Sequence, residues 1–142
     1  LIEKKSEIML KRISELKEPY KQVIEMREIK KMVYKDIASD LGTDVNFKIK
    51  ITEDLQDLPM ELSKVYQITD KKGNQISNFT LIEGDTKKSP FYTQIKITPG
   101  EYQISGRNPK PLSTVKSQIR NGRALLIEAT EKEYLILDEL YK

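Results

Sequence analysis

The sequence predicts an α+β protein: a small helical helix-turn-helix domain made from both chain ends, with a small all-β module inserted in it. Three observations predict this. Near each end, apolar residues recur at helical spacing: Ile37, Ala38 and Leu41 in one stretch, Val115, Ile119 and Leu126 in the other. Between them the period falls to two, with Phe47, Ile49 and Ile51 alternating with Lys48, Lys50 and Thr52. Finally, Tyr34–Asp44 and Leu112–Leu126 read end to end as one motif cut at its turn. The domain bounds that follow are 1–44 with 112–142 for the helical part and 45–111 for the insert.

Residues 3–16 place Ile8, Leu10, Ile13 and Leu16 at roughly helical spacing, so a short amphipathic helix is expected. Glu18-Pro19 opens the next, with proline in the first turn, where its missing N–H costs little. Tyr20, Val23, Ile24 and Ile29 give that helix its apolar side. The third helix is the Tyr34 segment, with Gly42 as a left-handed stop. Each is too short to be stable alone, so the segments must share a core with the helix that starts near Leu112.

The insert reads as five short strands forming a small sandwich or open barrel. FKIKIT is the first. LQDLPMEL, 55–62, reads as a loop or bent edge because of Pro59. SKVYQIT runs into the DKKGN turn at 70–74. ISNFTLIE, 76–83, and FYTQIKIT, 91–98, are strands with GDTKKSP between them as a loop. Pro99-Gly100 suits a tight turn, after which EYQISG, 101–106, is expected to pair back on FYTQIKIT. The insert's ends must lie close together, so Phe47–Thr52 and Tyr102–Ser105 are expected to be neighbouring strands. RNPKP, 107–111, reads as the return linker.

Beyond the insert, Ser113 can cap a helix whose inward positions are Val115, Ile119 and Leu126. The last stretch, 127–142, either prolongs that helix or forms another. Residues 112–126 carry three positive charges and no acid, whereas 127–142 carry two lysines against five acids. The acidic stretch is expected to point away from any polyanion held by the basic one.

The chain has no Cys and no His, which removes disulfides, thiol nucleophiles, the usual zinc sites and the commonest general base. The acids of the insert follow no catalytic or Ca²⁺-loop pattern. No enzyme, no cofactor and no metal is expected. No apolar run approaches the ~20 residues of a membrane span and no signal peptide is visible, so a cytoplasmic protein is expected. The chain opens on Leu1 rather than Met, which reads as a fragment or a trimmed chain. The insert's lysines read as a solvated β face that resists edge pairing, and its aromatics mostly as core.

The two ends carry a family resemblance. EPYKQVIEMRE, YKDIASDLG and STVKSQIRNGR follow one another in the order seen in region four of bacterial sigma factors. Within that family the chain is most similar to the extracytoplasmic-function group in its Bacteroidetes style. It departs from the pattern at Val33, where a Ser or Thr cap is usual, at Lys17, where Pro is frequent, and at the insertion itself. The resemblance covers 1–44 and 112–142.

This resemblance implies a transcription-initiation domain that binds the RNA polymerase core at its flap and the promoter −35 element as double-stranded DNA. It implies base-facing roles for Ser113, Thr114, Lys116, Ser117 and Arg120, and phosphate-facing roles for Lys35, Gln118 and Arg123. The insert, with ten basic and eight acidic residues, is only weakly positive. It is therefore expected to dock a protein rather than to grip DNA. The alternative is an adaptor, in which an insert-bound partner replaces or modulates −35 reading. That partner is an anti-sigma, an activator or a DNA-targeting protein.

Overall fold

A computed structural model describes residues 2–83 and 93–140. The chain divides into two compact units, 1–37 with 114–142, and 38–113. The division runs through the helix at 34–40 and falls after the second residue of the helix that begins at Leu112.

The first unit is helical. Its elements are α1 (Ile2–Ser14), α2 (Tyr20–Ile24) with a π-helical continuation (Glu25–Ile29), the start of α3 (Tyr34–Asp40) and most of α4 (Leu112–Leu140). Pro19 precedes α2 rather than lying in its first turn. The π-helical segment changes which residues face inward. Lys30 donates its N–H to Glu25 O at 3.0 Å, five residues back. A wider turn shifts the helical register, so Met26 is buried while Ile29 is exposed, against the sequence expectation. Leu10 of α1 is likewise exposed, and only Ile13 of that helix is buried.

Helix α4 is continuous, so the acidic stretch prolongs the basic one. Its inward positions are as the spacing predicts, with Val115, Ile119 and Leu126 all buried. Gly122 lies on the same side: a Cβ there would meet Ile24 Cγ1 at 2.7 Å. Ser113 falls inside the first turn instead of before it, because the helix already begins at Leu112. Two acids of the distal half, Glu133 and Asp138, are paired with α1. Lys5 Nζ lies 2.8 Å from Asp138, Arg12 pairs with Glu133, and the Tyr134 hydroxyl donates to Lys5 O at 3.0 Å.

The second unit contains six strands among the described residues: β1 (Thr43–Ile51), β2 (Leu55–Asp57), β3 (Lys64–Asp70), β4 (Thr80–Glu83), β5 (Thr93–Lys96) and β6 (Gly100–Asn108). They form two antiparallel three-stranded sheets, ordered β1-β6-β3 and β2-β5-β4. The expected neighbours do pair, with Phe47 opposite Ile104 and Ile49 opposite Tyr102. Both sheets contribute to one core of Ile51, Leu58, Leu62, Ile68, Ile95, Ile97 and Ile104. Phe79 and Tyr102 pack against it. A bulge between Val65 and Gln67 leaves Tyr66 exposed beneath the Lys64 ammonium.

Several expectations are corrected. The first strand starts at Thr43, before Val45, and the last runs through Asn108, so only 109–111 link it to α4. Of the two readings of 55–62, a loop or a bent edge, the edge is the one found: β2 is the outer strand beside β5, and the chain then brings Leu58 and Leu62 into the core. Only Thr80–Glu83 of ISNFTLIE is regular strand. The chain after Pro99-Gly100 does not pair back on 91–98: β5 and β6 lie in different sheets, so the turn carries the chain from one sheet to the other. The loop GDTKKSP, with Phe91 and Tyr92, lies outside the described residues.

Gly42 does not take the left-handed conformation. It is needed for close approach, since a Cβ there would lie 2.0 Å from Asn108 O. The end of α3 belongs to this unit and is closed by β6 and the residues after it. Arg107 donates to Ser39 O at 2.8 Å and Asp40 O at 2.6 Å, and Lys110 N–H donates to Ala38 O at 2.8 Å. A cation at the last carbonyls of a helix satisfies groups that have no intrahelical donor.

Candidate nucleic-acid interface

At 100° per residue, Ser113, Lys116, Ser117, Arg120 and Arg123 fall within one third of the circumference of α4, with Arg123 at its edge next to the buried Ile119. Ser113, Lys116, Arg120 and Arg123 are exposed and Ser117 is half-buried. Thr114 and Gln118 fall on the flank and are half-buried, and the Gln118 Oε1 atom is enclosed without a hydrogen-bond partner. Lys35 is half-buried in the first turn of α3.

Within the helical unit, two cationic side chains lie against the Tyr34 ring. The Arg27 guanidinium lies over it, 4.3 Å from the centroid, and Lys116 Nζ is 5.7 Å from the same centroid. Cations are attracted to the negative face of a phenol ring, so Tyr34 holds two positive side chains close together. Arg27 is also fixed through Nη1, which donates to Met32 O at 2.8 Å. Arg123 donates from Nε to Glu28 Oε1 at 2.5 Å. That hydrogen bond, with smaller help from the Glu28 charge and from Tyr34, raises the Arg123 pKa, so its charge is permanent.

The arrangement is a cationic surface with a built-in frame. Lys116 and Arg120 supply exposed positive charge, Tyr34 and Glu28 position their neighbours, and no acid precedes Glu128 on α4. Sequence reading did not find Arg27, Glu28 or Tyr34 as parts of it. EMRE looks like an ordinary solvated helical stretch, and the π-helical turn that aims Arg27 and Glu28 leaves no periodic signal. Val33 O accepts from both Asp36 and Ile37 at 3.1 Å, which makes Val33 the residue capping α3. Its side chain offers no acceptor, whereas Ser or Thr would.

Among the described residues no group of His, Cys, Asp and Glu could hold a metal ion, and no helix is long and apolar enough to cross a membrane.

Residues 6–46 match the family model described as sigma-70, region 4. The matched span runs from α1 into the start of β1 and ends where the motif is interrupted, so α4 lies outside it. This match supports a sigma-70 region 4 domain, a DNA-binding part of a transcription initiation factor that associates with RNA polymerase. No curated protein and no solved structure matches the chain.

Proposed function

We propose that this chain is region four of a sigma factor of the extracytoplasmic-function type, Bacteroidetes-like, whose helix-turn-helix is completed by α4 after a β-rich insertion. The helical domain, 1–44 with 112–142, binds the polymerase flap and promoter −35 DNA in the cytoplasm. The single observation that carries the reading is the match of residues 6–46 to sigma-70 region 4. The exposed cationic side of α4 supports it, because it is the part of the helix that no apolar packing uses.

Roles follow from the placement. Lys116 and Arg120, exposed on that side, meet base edges together with Ser113, Thr114 and Ser117. Lys35, Gln118 and Arg123 meet phosphates. Glu28 offsets part of the Arg123 charge, so Arg123 contributes less than an unpaired arginine.

The test is duplex binding by the full chain, read by fluorescence anisotropy on a sequence selected from a randomised pool. Arg120→Ala should weaken the selected duplex by about 1–3 kcal/mol and relax its sequence preference. Arg123→Ala should weaken all duplexes alike and lower the salt slope by about one phosphate contact. Unchanged affinity in both variants would sink direct DNA reading and favour the second reading, an adaptor.

One observation favours that second reading. The insert has its own two-sheet core and carries a net charge of only +2, ten basic less eight acidic residues, which suits protein docking better than a DNA grip. Its partner would be an anti-sigma, an activator or a DNA-targeting protein. Deleting 45–111 and measuring transcription with and without other cellular factors separates the two.

A further inference from the structure

Strand β1 is the outer strand of its sheet: β6 pairs with one side of it, and no strand pairs with the other among the described residues. Antiparallel geometry fixes what that free side offers. Arg107, which stands opposite Asp44, sends its carbonyl away from β1 to the Ser63 N–H at 2.8 Å. Asp44 therefore belongs to a pair without mutual hydrogen bonds. By alternation the backbone groups of Asp44, Asn46, Lys48 and Lys50 face outward.

Gln56 marks that edge from within the chain. Its amide donates to Lys50 O at 3.0 Å and accepts from Thr52 N–H at 2.8 Å, where the peptide of a neighbouring strand would lie. The edge is thus closed at Lys50 and open from Asp44 to Lys48. Exposed Asp44, Asn46 and Lys48 alternate there with Val45 and Phe47, which are half-buried against the core.

We propose that this open edge pairs with the same edge of a second copy of the chain, antiparallel, with Asn46 opposite Asn46. This proposal is independent of the DNA reading. In that register each Asp44 faces the other copy's Lys48, and each Val45 faces the other copy's Phe47. Opposite charges and apolar pairs directly across two strands are favourable, and like charges there are not. A register with Lys48 opposite Lys48 is repelled. The register that sets Asp44 opposite Lys50 meets the edge already occupied by Gln56.

Lysine on an edge strand ordinarily discourages pairing. Four residues from an aspartate on the same outward row, it instead makes the edge complementary to itself, as a two-fold contact requires. Asp44 Oδ1 also lies 3.2 Å from Arg107 Nη1, and its second oxygen is left for the incoming ammonium. The product is a continuous six-stranded sheet across two copies. A contact of five residues a side makes a weak dimer, one that salt weakens further.

The experiment is sedimentation equilibrium and amide exchange of the full chain from micromolar to millimolar concentration. The mass should rise toward twice the monomer, and the Asn46 and Lys48 amides should gain protection in step. Asn46→Pro removes the central donor at an edge position that tolerates proline, and should stay monomeric with an otherwise unchanged spectrum. Lys48→Glu and Asp44→Lys should each stay monomeric, while an equal mixture of the two should dimerise, because the facing charges are again opposite. A monomer at every concentration, a dimer that survives Asn46→Pro, or a mixture that fails to associate would overturn the proposal. So would Asn46 and Lys48 amides protected equally at all concentrations, which would mean that another part of the chain covers the edge. Should Asn46→Pro not fold, the charge-swapped mixture decides alone.

Discussion

The β unit and helix α1 of the helical unit are held in place by different means. In the β unit, five isoleucines and two leucines from both sheets and their connections form one core. In the helical unit, the outer helix α1 contributes one buried side chain, Ile13, and much of its attachment to α4 is ionic, through Lys5 with Asp138 and Arg12 with Glu133. Partly exposed ion pairs are individually worth about 0–1 kcal/mol, while a fully buried aliphatic side chain is worth about 1.5–3 kcal/mol. The comparison teaches where each is vulnerable: the β unit to loss of volume, the seat of α1 to loss of charge, while Val23, Ile24, Ile37, Val115 and Ile119 give the rest of the helical unit a buried apolar core of its own.

The largest expected effect tests the apolar side of that contrast. Ile104 sits on the central strand β6 and is 1% exposed. Ile104→Ala should destabilise the β unit by about 2–5 kcal/mol, through lost burial and the cavity left behind. Denaturant melts followed by β6 amide protection measure it, and a cost near zero would mean the core is not what holds the sheets.

Next comes Gly42→Ala, where the new Cβ meets backbone rather than a flexible side chain. A loss of about 1–3 kcal/mol is expected, with shifts at Asn108 and Pro109. If instead alanine stabilises, as it would at an unstrained helical site, the close approach is wrong.

On the helical side, Val33→Ser supplies the missing acceptor at the start of α3. A gain of about 1 kcal/mol is expected, seen as a higher melting temperature and slower exchange of the first α3 amides. No change would indicate that solvent already satisfies those N–H groups.

The last effect is electrostatic and belongs to the β unit. One Glu61 oxygen is shut off from solvent without a partner, and burial raises the Glu61 pKa from 4.5 to about 7. A carboxyl whose folded pKa lies above its unfolded value favours folding when protonated. Its contribution is complete below about pH 4.5 and is lost as pH rises through about 7. Glu61→Gln should therefore flatten the fall in stability between those values. Melts at pH 5 and pH 8 read it, and parallel changes in both proteins would count against it.

Much of the fold was legible in the sequence, for reasons that differ between the units. Period-two alternation in FKIKIT marked a strand with one buried face, and the need to bring the insert's ends together named its neighbour. Both inferences rest on local stereochemistry and chain connectivity. Likewise the inward side of α4 followed from 3.6-residue spacing, which does not depend on what the helix packs against.

Less of the candidate site could be read. The cationic residues of α4 were visible as a run without acids, but their surroundings were not. Arg27 and Glu28 reach Tyr34 and Arg123 only because a π-helical turn redirects them, and a single extra residue per turn leaves no trace in hydrophobic periodicity.

By itself, then, the sequence determined the α+β class, the alternation of β1 and the buried stripe of α4, because each is a property of neighbouring residues. Tertiary structure alone decided that Gly42 serves close approach rather than a left-handed turn, that Ile29 is exposed while Met26 is buried, and that Arg107 closes the end of α3. The first and last depend on atoms distant in sequence meeting within van der Waals or hydrogen-bond range, and the second on a π-helical turn; no local hydrophobic pattern encodes either.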